Sequence, residues 1–189
     1  MTPPELAARL SDGTPVILRP VHAGDARLLA DGFGRLSPQS IRARFLAPVA
    51  RLGTAQLRSL VDVDQENRIA WGALHGEVPD LGLGVARCAR VTGEPNVAEV
   101  AVTVVDEYQG RGLGSLLFTL LAATARGTGI ERFRAYVLPD NTPVRHAADR
   151  YGASASLEAP GLLRYELSLD DLPPARHALI AAGLPASGP

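Results

Sequence analysis

The chain has no lysine: all 19 of its basic residues are arginine, set against 20 carboxylates. Arginine is an always-charged planar donor, whereas lysine is a titratable amine. The absence excludes every chemistry that needs an ε-amine: a Schiff base, a pyridoxal anchor, a P-loop lysine or a protein-kinase lysine. Ala, Gly, Pro and Arg are abundant while Lys, Asn and Ile are scarce, so codon bias accounts for the gap, and the exclusion holds whatever its cause. Cysteine occurs once, at Cys88, so no intrachain disulfide forms. His22, His75, His146 and His177 are widely separated and lack Cys partners, so there is no metal-ligand spacing. No apolar run reaches the ~18 residues of a membrane span. Met1 to Leu10 lacks a long apolar stretch and carries Glu5 and Arg9, unlike a signal peptide. A net charge of −1 offers nothing to nucleic acid or to an acidic membrane. These absences lead us to expect a soluble, cytoplasmic protein with no metal, no nucleic-acid partner and no membrane partner. Monomer and homodimer both stay open.

Nearly half of the 189 residues are hydrophobic, enough for one core. Pro3 to Leu10 reads as a short helical turn and Pro15 to Arg19 as a first strand. Ala26, Leu29, Ala30 and Phe33 have helical spacing, Ser37-Pro38 starts a second helix, and Thr54 reads as the N-cap of a third reaching about Val61. Arg68 to Leu74 and Gly82 to Val91 read as paired strands around the turn-rich Gly76 to Asp80. Ala98 to Val105, rich in β-branched residues, predicts a central strand. Leu113, Leu116, Leu117, Leu120 and Leu121 then give the strongest helix signal, ended by Gly127 and Gly129. Arg132 to Leu138 reads as a strand, Thr142 to Tyr151 as a short helix capped by Gly152, and Leu162 to Leu169 as a strand in a final group of one or two. Pro173 to Ala182 reads as a small helix. The order predicts an α/β domain with a mixed sheet.

Chemistry concentrates between Ala98 and Leu117. A strand feeds Gln109-Gly110-Arg111-Gly112-Leu113-Gly114, and a helix follows at once. Glycines let backbone N–H groups approach a ligand, and the helix start adds unpaired N–H groups and partial positive charge. The result is a phosphate cradle, with Arg111 as an extra cation. A purely structural turn would share this pattern. A dinucleotide site would want a third glycine where Ser115 stands, and it would normally use the first strand–helix unit rather than one halfway along.

Gln109-x-x-Gly112-x-Gly114 resembles the acyl-CoA pyrophosphate loop of the GNAT N-acetyltransferases. Asn141, 27 residues after Gly114 and opening a helix, matches an Asn of that family, and the resemblance runs from about Val16 to Leu169. Leu36 to Phe45 (LSPQSIRARF) is similar to a segment of bacterial protein-lysine acetyltransferases, and Val61 to Asp64 and Ala98-Glu99 point the same way. The resemblance implies the GNAT fold: a mixed, mostly antiparallel sheet with a central parallel splay, flanked by helices. It places that domain at about 14–170, with 1–13 an N-terminal extension and 171–189 a C-terminal helix or tail.

It further implies acetyl-CoA as cosubstrate, lying between the strand ending near Val105 and the next parallel strand near Arg134. Val102, Thr103 and Val104 match the backbone that pairs with the pantetheine arm. Gln109, Gly110, Arg111, Gly112, Leu113, Gly114 and Ser115 match the pyrophosphate cradle. Asn141 matches the residue that contacts the CoA arm, and it equally suits a helix N-cap. Acetylating an amine needs the neutral amine, hence a base. Glu99, ten residues before Gln109 in an apolar strand, is the base candidate. Burial in an apolar cleft would raise its pKa, and a strand-end Glu that pairs with an Arg or faces water is the competing reading. Asp62, Asp64 and Glu66 form an acidic cluster that either draws a cationic substrate or is a solvated loop. His22, His75 and His146 are weaker base candidates, Asp106 and Glu107 lie close to the loop, and Cys88 suits a buried small hydrophobe better than an acyl carrier.

One departure stands out. Seven residues after the Asn, where many GNAT enzymes carry an acidic Tyr, this chain has Ala148, and Tyr151 comes three later. A thiol of pKa about 8.5 leaves well enough without a dedicated acid. The expected acceptor is a primary amine, either a protein lysine or a small molecule such as a polyamine or aminoglycoside. The missing Tyr keeps a non-catalytic acyl-CoA-binding module in view.

Overall fold

The computed structural model describes residues 5–172. An eight-stranded sheet is built from β1 (Leu6–Arg9), β2 (Pro15–Pro20), β3 (Arg68–His75), β4 (Val78–Val91), β5 (Glu94–Val104), β6 (Arg132–Val137), β7 (Ser154–Ala159) and β8 (Leu162–Ser168). Their order is β1-β2-β3-β4-β5-β6-β8-β7. Every neighbouring pair is antiparallel except β5 and β6. The helices are α1 (Ala26–Gly34), α2 (Pro38–Phe45), α3 (Thr54–Val61), α4 (Leu113–Gly127) and α5 (Thr142–Arg150).

Paired residues share a sheet face, and alternate residues along a strand return to it. One face presents Ile69, Trp71, Ala86, Cys88 and Ala98, which pack against Leu113, Leu116, Leu117, Leu120 and Leu121 of α4. Burying that leucine stripe stabilises by about 1.5–3 kcal/mol per side chain, so α4 is the principal packing helix. Trp71 also donates its indole N–H to Thr124 Oγ1 at 2.9 Å. The other face presents Arg87, Ala101 and Glu99, since Arg87 pairs with Ala101 and Glu99 lies two residues away on the same strand. α1, α2 and α3 cover part of this second face, and Phe33 meets Phe45 edge-on at 5.8 Å.

Three sequence expectations need correction. The helical turn expected across Pro3 to Leu10 is instead strand β1 where it is described, paired with β2 from Leu6↔Leu18 to Arg9↔Pro15. Alternate residues Ala8 and Leu10 are buried, and so short a segment cannot repay helix nucleation. α3 is capped by Gly53 rather than Thr54, with the Gln56 carboxamide oxygen accepting the Gly53 N–H at 2.8 Å. The turn expected from Gly76 to Asp80 shrinks, because β4 already begins at Val78. The final group contains two strands, and the helix expected from Pro173 lies outside the described residues.

Candidate active site

The site begins where two strands part. β5 and β6 are parallel partners only from Val97↔Arg132 to Glu99↔Arg134, although β5 runs on to Val104 and β6 to Val137. Beyond Glu99 the β5 backbone facing β6 has no strand partner. Val102, Thr103 and Val104 lie on this free stretch, with partly buried side chains. The backbone groups here that point away from β4, apart from the Val104 carbonyl that Gln109 takes, are available to an extended amide-bearing chain.

The fork opens onto the glycine turn. Gly110 (φ 72°) and Gly112 (φ 88°) are both left-handed, a conformation that costs a residue with a Cβ roughly 1–2 kcal/mol. A Cβ at either position would stand in open space, so the space above the turn is clear. The first helical hydrogen bond of α4 runs from the Leu116 N–H to Gly112 O at 3.1 Å. The N–H groups of Leu113, Gly114 and Ser115 are therefore the unpaired donors of the helix start. Leu113 contributes backbone alone, because its side chain is core.

Gln109 is a bracket. Its Nε2 donates to Asp106 Oδ1 at 2.7 Å, to Val104 O at 3.0 Å and to Ser40 Oγ at 3.2 Å. Asp106 also accepts the Ser37 N–H at 2.5 Å and the Ser40 hydroxyl. Partial burial works against the charged carboxylate, yet the bonds from Ser40, Ser37 and Gln109 hold Asp106 below the usual carboxyl range. Asp106 thus ties the start of α2 to the cradle, a role its closeness to the loop did not reveal. Arg111 is held at the rim: it pairs with Asp12 at 2.7 Å and lies 4.9 Å from the Tyr108 ring centre. Glu107 pairs with Arg35 at 2.8 Å.

Glu99 is the last paired residue of β5 before the fork. It is exposed, so the apolar cleft expected around it is not there. Its neighbours behave differently. Glu94 and Glu166 are both taken up by Arg134, each at 2.8 Å. Glu99 makes no ion pair among the described residues, although Arg134 is its register partner.

Other candidates sort by their contacts. Asn141 caps α5, its side-chain oxygen accepting the Val144 N–H at 3.4 Å. Tyr151 closes α5 and stacks on Phe118 at 5.1 Å, on the α4 side of the sheet, whereas Glu99 belongs to the other side. Cys88 is buried, and burial pushes its thiol up to about 12, which removes it as a nucleophile at neutral pH. Asp64 accepts the backbone N–H groups of Glu66, Asn67 and Arg68 at 2.8–2.9 Å, and Asp62 pairs with Arg68 at 2.6 Å. The acidic cluster is therefore a braced loop. His22 accepts the Gly24 N–H, His75 accepts the Glu77 N–H, and His146 sits exposed on α5.

Fork and cradle fit an acyl-CoA thioester, with free strand backbone for an amide-bearing arm and a clear, donor-lined turn for a pyrophosphate. Residues 45–153 match the family model of the Acetyltransferase (GNAT) family. The chain belongs to that family. It is 36% identical over 157 residues to Acetyltransferase Pat of Mycolicibacterium smegmatis, covering 83% of this chain and 46% of that protein. It is 35% identical over 124 residues to Acetyltransferase PA5475 of Pseudomonas aeruginosa, covering 65% of this chain and 66% of that one. The chain thus spans about half the length of the first of these relatives and two thirds of the second. Among solved structures, the GNAT domain of S. lividans PAT superposes with a TM-score of 0.79 at 30% identity, covering 87% of this chain and 96% of that one. The family and fold expected from the Gln109 to Gly114 loop are borne out.

Proposed function

We propose that the chain transfers an acetyl group from acetyl-CoA to a primary amine, with Glu99 as general base. One observation carries the reading: the only fork in the described sheet opens onto the glycine cradle, and an uncommitted carboxylate stands at its apex. Val102, Thr103 and Val104 would align the thioester arm, and the turn from Gln109 to Ser115 would hold its phosphates. A strand N–H would polarise the thioester carbonyl. The neutral amine nitrogen attacks the carbonyl carbon, and the C–N bond forms. The C–S bond then breaks, the electron pair leaves with sulfur, and the surplus amine proton passes to Glu99, directly or through water. Ala148 supplies no acid, so the thiolate takes its proton from solvent.

The likeness of Leu36–Phe45 to protein-lysine acetyltransferases supports a lysine acceptor ahead of a polyamine or aminoglycoside. Glu99→Gln tests the base. Acetyl-CoA should bind as before in calorimetry, while turnover falls roughly 10²–10⁴-fold. Unchanged turnover removes Glu99 from the mechanism.

A further inference from the structure

On the Glu99 side of the sheet, α1, α2 and α3 roof a cavity of about 90 Å³. Leu28, Leu29, Phe33, Phe45, Leu52 and Leu60 give it apolar walls. Three arginines also line it, Arg19, Arg44 and Arg87, against a single acidic residue, Asp25. That carboxylate is fully engaged. It meets Arg19 fork to fork, two hydrogen bonds of 2.7 Å, and takes the His22 N–H at 2.9 Å. With that pair closed on itself, Arg44 and Arg87 find no further carboxylate in the lining.

Those two charges sit on different elements, Arg44 on α2 and Arg87 on β4. Arg87 spends one N–H on Ser59 O at 3.3 Å, and Arg44 lies 5.0 Å from the Phe45 ring centre. Neither makes an ion pair among the described residues. Burial pushes both guanidiniums down from their ordinary value. Arg44 is pushed further by the nearby charge of Arg87, and Glu99 alone pulls it the other way. Holding two like charges under an apolar roof is unfavourable unless something completes them. Arginine retains its proton, so relief has to come from an anion. Guanidinium forks bind a carboxylate bidentately, and apolar walls suit the short carbon chain behind one.

We propose that Arg44 and Arg87 form a carboxylate-binding pocket beside the fork, so that one of the two reacting substrates carries a carboxylate. The inference rests on the acyl-transfer reading above and widens its substrates beyond the pairing of acetyl-CoA with a plain lysine side chain. Two sources share this chemistry: an amine acceptor with its own carboxylate, as in an α-amino acid, or an acyl group ending in one, as in a dicarboxylic acyl-CoA.

The test follows CoA release by the full chain with matched pairs of substrates. One arm holds acetyl-CoA fixed and compares α-amino acids with their carboxamides. The other holds the amine fixed and compares succinyl-CoA with butyryl-CoA. In one arm the carboxylate member should be favoured roughly 10- to 100-fold in kcat/KM, the worth of charge-assisted hydrogen bonds. Arg44→Gln and Arg87→Gln should each collapse that ratio, with circular dichroism confirming a folded chain. A defect of folding alone would lower both members and leave the ratio standing. Ratios near one in both arms, or a ratio that survives both variants, would overturn the pocket. Should no donor and amine release CoA, acyl transfer fails, and succinate binding by calorimetry then judges the pocket alone. Binding that weakens at least tenfold in Arg44→Gln upholds the pocket, and absent or unaltered binding overturns it.

Discussion

At the scale of single residues, what a carboxylate touches decides its role more than where it stands in the sequence. Asp64 and Glu99 are both exposed acids, the first in the loop between α3 and β3 and the second midway along β5. Asp64 is spent on its own loop. Slight burial favours its neutral form, but three backbone N–H groups outweigh it and hold the carboxyl far below the ordinary value. The folded chain therefore binds fewer protons than the unfolded chain just below the ordinary Asp pKa of about 3.9. Stability from this group is complete above that value and drains as pH falls towards the lower, folded one. Asp64→Asn keeps an oxygen for the same N–H groups but loses the charge. Its melting temperature should fall less steeply than that of the wild type between about pH 4 and 2, as thermal melts at stepped pH would show. Parallel curves would take Asp64 out of the brace. Glu99 makes no ion pair among the described residues, which is why we propose it as the base. Its position was legible from the spacing to Gln109. Its exposed setting was not, because an apolar strand sequence does not reveal that the sheet opens beside it.

At the scale of elements, the glycine turn and α4 act as one unit. Gly112 combines a left-handed backbone with an open side towards the cradle. Gly112→Ala should lower the melting temperature by about 2–8 °C, given roughly 1–2 kcal/mol of strain in a chain of this size, and should weaken acetyl-CoA binding in calorimetry. Gly34→Ala, at the end of α1 with ordinary φ and free space, is the control and should be neutral or stabilising. Equal behaviour of the two variants would contradict the assignment of the turn. This unit was readable in advance, because its leucines recur at helical spacing and its glycines alternate within one short stretch, Gly110, Gly112 and Gly114. β7 was not: all six residues of Ser154–Ala159 are exposed, so no alternation of apolar and polar residues marks it. β1 was misread because four residues are too few to distinguish a strand edge from a helical turn, and only pairing with β2 decides it. Arg44 and Arg87 lie far apart in the sequence and line one cavity only because the fold brings α2 and β4 to it. No local pattern announces such a pair.

At the scale of the whole molecule, the sheet divides the work between its faces. One carries the α4 core, and the other carries Glu99 and the arginine-lined cavity, with the fork between β5 and β6 joining them. The lack of lysine now has a practical meaning. These 189 residues contain no side-chain amine, so any ε-acetyl group formed in their presence belongs to the partner. The central claim is that the fork transfers acetyl groups rather than merely holding a thioester. Release of free CoA from acetyl-CoA, followed across a panel of a lysine peptide, a polyamine, an aminoglycoside and amino acids, tests it most directly. Acetyl transfer predicts CoA release with at least one of these, matched mole for mole by acetylated amine in mass spectrometry. Tight binding of acetyl-CoA with no release from any of them would contradict it and leave a non-catalytic acyl-CoA-binding module.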